Sequence, residues 1–74
     1  MNENQVALIF GKRLKELRLE KSLSQEKLAH HAGLHRTYIS LLEKGKRQPS
    51  LSSAINLADA LEIKLSYLLT PFLN

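Results

Sequence analysis

Gly33, Gly45, Pro49 and Pro71 cut this sequence into short pieces, and between the cuts apolar residues recur at helical spacing, three and four apart, with no alternating strand pattern. That pattern excludes a sheet and predicts an all-α chain of five short helices. The first helix starts near Asn2 or Asn4, either of which can cap it, and ends around Ser22. Val6, Phe10, Leu14 and Leu17 form its inward stripe, while Lys12, Arg13, Lys15, Arg18 and Lys21 occupy much of the remaining surface. Ser24 is placed to cap a second helix, with Glu26 in the first turn, where the helix dipole favours a negative charge. This helix stops at Gly33, which can take the left-handed conformation of a C-terminal cap. A third begins near His35 or Arg36 and runs to Glu43 or Lys44, with Gly45 ending it. Ser50 caps a fourth, for which Leu51, Ile55, Ala58 and Leu61 are the expected inward residues. A last helix covers roughly Leu65 to Leu69 before Pro71 breaks the pattern.

Seventy-four residues make one domain, 1–74, and a domain this short buries only roughly 60% of its unfolded surface. Small folds gain stability from disulfides, metals or oligomerisation, and the absence of cysteine leaves oligomerisation as the obvious route. No apolar run approaches a membrane span, and no basic segment followed by a hydrophobic stretch opens the chain, so a soluble cytoplasmic protein without a membrane partner is expected. The net charge of +4 is uneven. Residues 12 to 47 hold ten of the eleven basic groups against four acids, a balance of +6, and the remainder carries −2. A basic segment beside a slightly acidic one suits a phosphate backbone met by one face, and equally suits an ordinary solvated surface.

The informative stretch is residues 25–44, two short helices joined by a brief glycine-containing turn, the layout of a helix-turn-helix. On a wheel of about 100° per residue starting from Arg36, the side chains of Ser40, Lys44 and Thr37 share one polar face, with Tyr38, Ile39 and Leu42 on the far side. One face can therefore pack while the other presents a guanidinium, two hydroxyls and an ammonium. Those groups suit base edges, since arginine bonds guanine bidentately and threonine adds a methyl that can touch thymine. Ser40 is small enough to let the helix sit deep in the major groove. Lys44, Lys46 and Arg47 follow directly and suit phosphates, which position a protein without reading sequence. Gln25, at the N-terminus of the preceding helix, suits a phosphate too.

From Phe10 to Leu69 the sequence resembles the Cro/CI-type, or XRE-type, helix-turn-helix regulators. The resemblance is carried by Phe10-Gly11-Lys12-Arg13-Leu14, Leu23-Ser24-Gln25-Glu26-Lys27-Leu28-Ala29 and Tyr38-Ile39-Ser40-Leu41-Leu42-Glu43-Lys44-Gly45. Arg47-Gln48-Pro49-Ser50-Leu51 and Leu57-Ala58-Asp59-Ala60-Leu61 continue it. It implies a compact lambda-repressor-like fold, in which Ala29, Gly33, Ile39 and Leu42 lock the two helices together. The length and the run His35-Arg36-Thr37-Tyr38-Ile39-Ser40 resemble the controller proteins of restriction–modification systems, free-standing dimers that regulate their own gene and that of the endonuclease. The resemblance implies base contacts from Arg36 and Thr37, with Tyr38 and Ser40 close to the DNA. Because Tyr38 lies off the polar face, it is assigned to the DNA backbone or to partial packing.

Other readings are weaker. His31 and His35 flank Gly33 instead of sitting one turn apart, so no metal site is expected, and no cofactor. No phosphate loop, nucleophile with a base, or paired acids point to an enzyme. Glu43 suits a bond to nearby backbone or a pairing with a basic side chain. Residues 65–73 are rich in large apolar side chains, more than a small core absorbs, so a symmetric homodimer through Tyr67, Leu69 and Phe72 is expected. Two-fold symmetry sets recognition helices roughly 34 Å apart, matching a palindromic operator. Glu20 and Glu26 offer an acidic contact to RNA polymerase. The alternatives are a phage-type repressor or an antitoxin with the same fold, or an interaction module that does not bind DNA.

Overall fold

The computed structural model describes residues 1–73, which form helices α1 (Glu3–Glu20), α2 (Gln25–Ala32), α3 (Arg36–Glu43), α4 (Leu51–Ala60) and α5 (Leu65–Leu68), then a 3₁₀ turn at Thr70–Phe72. Three helix starts are set by side chains. Asn2 Oδ1 accepts from the Gln5 amide while Gln5 Oε1 accepts from the Asn2 amide, each at 2.9 Å, closing a capping box on α1. Ser24 and Ser50 accept from the amides of Lys27 and Ser53 at 3.0 Å.

Four helix ends share one device. Ser22, Gly33, Gly45 and Glu62 all take positive φ, between 56° and 71°. The next residue in each case returns its amide to a carbonyl five residues back: Leu23 to Arg18, Leu34 to Ala29, Lys46 to Leu41 and Ile63 to Ala58. Only glycine adopts this conformation without steric cost, which accounts for Gly33 between α2 and α3. Pro71 does not end order in the chain; it sits in the first turn of the 3₁₀ segment, where a missing amide proton leaves no bond unmade.

Phe10, Leu14 and Leu17 of α1, Leu28 of α2, Ile39 and Leu42 of α3, Leu57 and Leu61 from α4 and its cap, and Leu68 of α5 fill the centre. Three sequence expectations fail here. On α4 the inward stripe is Ala54, Leu57, Ala58 and Leu61, whereas Leu51 and Ile55 are 70% and 46% exposed. The helix carries two apolar stripes, and the core takes the one with the alanines, which let α4 come close to α2. Val6 is half-buried at the core's rim, not in its centre. On α1, Arg18 is buried instead of joining the basic surface. It follows Leu14 by four positions, which puts it on the edge of the inward stripe.

Gly11 fixes how α1 meets α3. A Cβ at this position would overlap the Leu42 carbonyl oxygen and press on the Glu43 carbonyl, so the end of α3 rests directly on the α1 backbone.

Candidate nucleic-acid interface

The third helix is held from behind by an ion pair. Arg18 Nε and Nη2 meet the two carboxylate oxygens of Glu43 at 2.6 and 2.9 Å, a bidentate pair, and Arg18 Nη1 donates to the Leu23 carbonyl at 2.8 Å. The two side chains are 9% and 4% exposed. Hydrogen bonding to Glu43 raises the Arg18 pKa above its ordinary value; burial works against this and the carboxylate's charge adds to it. Gln25 Nε2 donates to the same carboxylate at 3.1 Å. One Glu43 side chain thus ties α3 to both α1 and α2. Of the two partners considered for Glu43, the basic side chain is the one it takes.

With Ile39 and Leu42 fully buried on its inner side, α3 turns Arg36, Thr37 and Lys44 to solvent, with Ser40 half-buried beside them. The expected polar face is therefore assembled on one side of α3. Lys46 and Arg47 are exposed in the loop that follows. Gln25 stands at the start of α2 as expected, but its amide is engaged by Glu43, which leaves the free backbone N–H groups of the first turn as the outward donors.

Tyr38 is half-buried. Its hydroxyl donates to Ser53 Oγ at 3.2 Å, and the Arg47 guanidinium lies 5.6 Å from its ring centre. Tyr38 therefore links α3 to α4 and carries Arg47 on its outer face, the partial packing that its off-face position allowed. Ser53 in turn accepts from Ser50 Oγ at 2.7 Å. The basic loop is also tied to α1, because Gln48 donates to the Glu3 carbonyl.

Sequence reading missed the positioning role of Arg18. The available signal was a cation on an apolar stripe together with an acid, Glu43, on the inner part of a second helix. Among the described residues, no group of three or more His, Cys, Asp or Glu side chains is placed to hold a metal ion.

The C-terminal residues form a second surface. Tyr67 is 50% exposed and Leu69 and Phe72 are half-buried. Leu69 and Phe72 line an apolar groove with Leu51 and Leu73, both exposed. Arg13 of α1 anchors this segment, donating to the Tyr67 carbonyl at 2.6 Å with its guanidinium 4.7 Å from the Tyr67 ring centre.

Residues 14–68 match the helix-turn-helix family. The chain is 45% identical over 62 residues to control protein C.BamHI of Bacillus amyloliquefaciens, covering 82% of this chain and 76% of that protein. It is 46% identical over 66 residues to control protein C.MunI of a Mycoplasma species, covering 88% and 89%. The crystal structure of the restriction–modification controller protein C.AhdI from Aeromonas hydrophila superposes with a TM-score of 0.82 at 47% identity, covering 84% of this chain and 94% of that one.

Proposed function

The chain belongs to the helix-turn-helix family of DNA-binding transcriptional regulators, and on that premise we propose that it is the autoregulating controller of a restriction–modification system, acting as a homodimer on a palindromic operator. The observation that carries this reading is the outward face of α3. A guanidinium, two hydroxyls and an ammonium stand together on a helix whose inner side is closed by Ile39, Leu42 and the Arg18–Glu43 pair. A rigid helix with polar groups on one side is what reading base edges in the major groove requires.

In this reading Arg36, Thr37 and Ser40 contact bases. Lys44, Lys46 and Arg47 meet phosphates, as do Tyr38 through its exposed edge and Gln25 through the helix start it occupies. The second protomer covers the groove formed by Leu69 and Phe72, with Tyr67 at its margin and Leu51, Ile55 and Leu73 added to the apolar surface. Such a dimer sets its two α3 helices about one turn of DNA apart. Glu20 and Glu26 are exposed, available for an acidic contact to RNA polymerase bound at a neighbouring site. No helix among the described residues is long and apolar enough to cross a membrane. In this reading the protein works in the cytoplasm, with the DNA it controls.

The test is a fluorescence-anisotropy titration against the DNA upstream of the protein's own gene, with a scrambled duplex as control, at two salt concentrations. Tight binding to the native duplex alone, at two protomers per site and falling steeply with salt, is expected. Absence of binding even at low salt would replace the reading with an interaction module.

A further inference from the structure

Leu41 has no evident structural role. It lies on α3, yet the inner side of that helix is filled by Ile39 and Leu42, and Leu41 stands outside the core cluster, half-exposed. It faces a surface concavity with mainly apolar walls, formed with Gly33, Leu34, His35, Thr37, Tyr38 and Arg47. Thr37 and Leu41 are four residues apart, one turn on the same side of the helix, so this wall is continuous with the polar face proposed to read bases. Arg47 closes the other side and carries its charge to the same surface.

An apolar niche within a cationic reading face selects its occupant. In the major groove the base edges present donors, acceptors and one apolar substituent, the C5-methyl of thymine. We propose that the niche lined by Leu34, Thr37, Tyr38 and Leu41 takes a thymine methyl group, and that Leu41 is a specificity-determining residue of the operator-binding surface. The inference rests on the DNA-binding reading above.

The experiment replaces each thymine of the native upstream duplex in turn by uracil, which removes the methyl and nothing else, and measures affinity by anisotropy. Wild-type protein should lose affinity by about fourfold at one thymine in each half-site, the worth of one buried methyl-sized group. Leu41→Ala should bind the native duplex more weakly and be indifferent to uracil at that position, while Leu41→Met should keep the sensitivity. Thermal melting of each variant establishes that it is folded, and the wild-type scan stands without any variant. Wild-type indifference to uracil at every position, or a Leu41→Ala protein that keeps the full sensitivity, would overturn the niche while native-over-scrambled preference persists. Equal binding to native and scrambled duplexes would overturn the DNA-reading assignment and the niche with it.

Discussion

The two ends of this molecule close their surfaces in opposite ways. Around α3 the inner side is sealed twice, by Ile39 and Leu42 in the core and by Arg18, Gln25 and Glu43 behind the helix, and what faces water is polar except for the half-exposed Leu41. Around α4, α5 and the 3₁₀ turn the inner side is equally full, with Leu57, Leu61 and Leu68 buried, but the outer side exposes large apolar residues, Leu51, Ile55, Tyr67 and Leu73, among its polar ones. A polar outer face over a rigid support can stand in water and wait for a charged partner. An apolar outer face on a chain of 74 residues costs solubility unless another surface covers it. On the proposed reading that difference gives one end to DNA and the other to a second copy of the chain; α1 joins the two ends, touching α3 through Gly11 and Arg18 and the C-terminal segment through Arg13.

If that division is right, damage behind α3 should show first in stability. Glu43→Ala leaves the Arg18 guanidinium buried without its carboxylate and should cost about 3–5 kcal/mol, read from urea unfolding. Replacing both partners by apolar residues of similar size should recover most of that loss. A recovered double variant would show that the pair orients α3 more than it stabilises the fold. Gly11→Ala drives a methyl into the Leu42 and Glu43 carbonyls and should cost about 2–3 kcal/mol in the same experiment.

Damage to the other end should show in assembly instead. Ile55→Glu places a charge on the exposed stripe of α4 and should raise the dimer dissociation constant at least tenfold, about 1.4 kcal/mol, by sedimentation analysis. Helical content by circular dichroism should be unchanged, and a drop in it would place Ile55 in the core after all. The smallest effect separates local backbone cost from either surface. Glu62 holds a left-handed conformation at the end of α4, so Glu62→Gly should gain about 0.5–1 kcal/mol of stability without altering assembly.

What the sequence discloses follows the range of the forces involved. Caps act within three residues, so Asn2, Ser24, Gly33 and Ser50 mark their helix ends openly. Ser22 and Glu62 adopt the same left-handed geometry as Gly33 but carry no glycine to advertise it. The polar face of α3 is legible because its period is local. The phase of α4 is not, since Leu51 and Ile55 satisfy a helical period as well as Ala54 and Leu57 do, and only packing against α2 chooses between them. Arg18 is hidden for a related reason. Its partner lies 25 residues away, and a basic residue on a basic helix looks like surface until the fold brings Glu43 to it.

The central claim is that the outward face of α3 reads sequence, and Arg36→Ala tests it most directly. Binding of this variant and the wild type to the native upstream duplex and to its scrambled control should be compared by anisotropy at one salt concentration. The account predicts a loss of about 2 kcal/mol, roughly thirtyfold, on the native duplex and little change on the scrambled one. An equal loss on both would reduce Arg36 to a phosphate contact and contradict the claim.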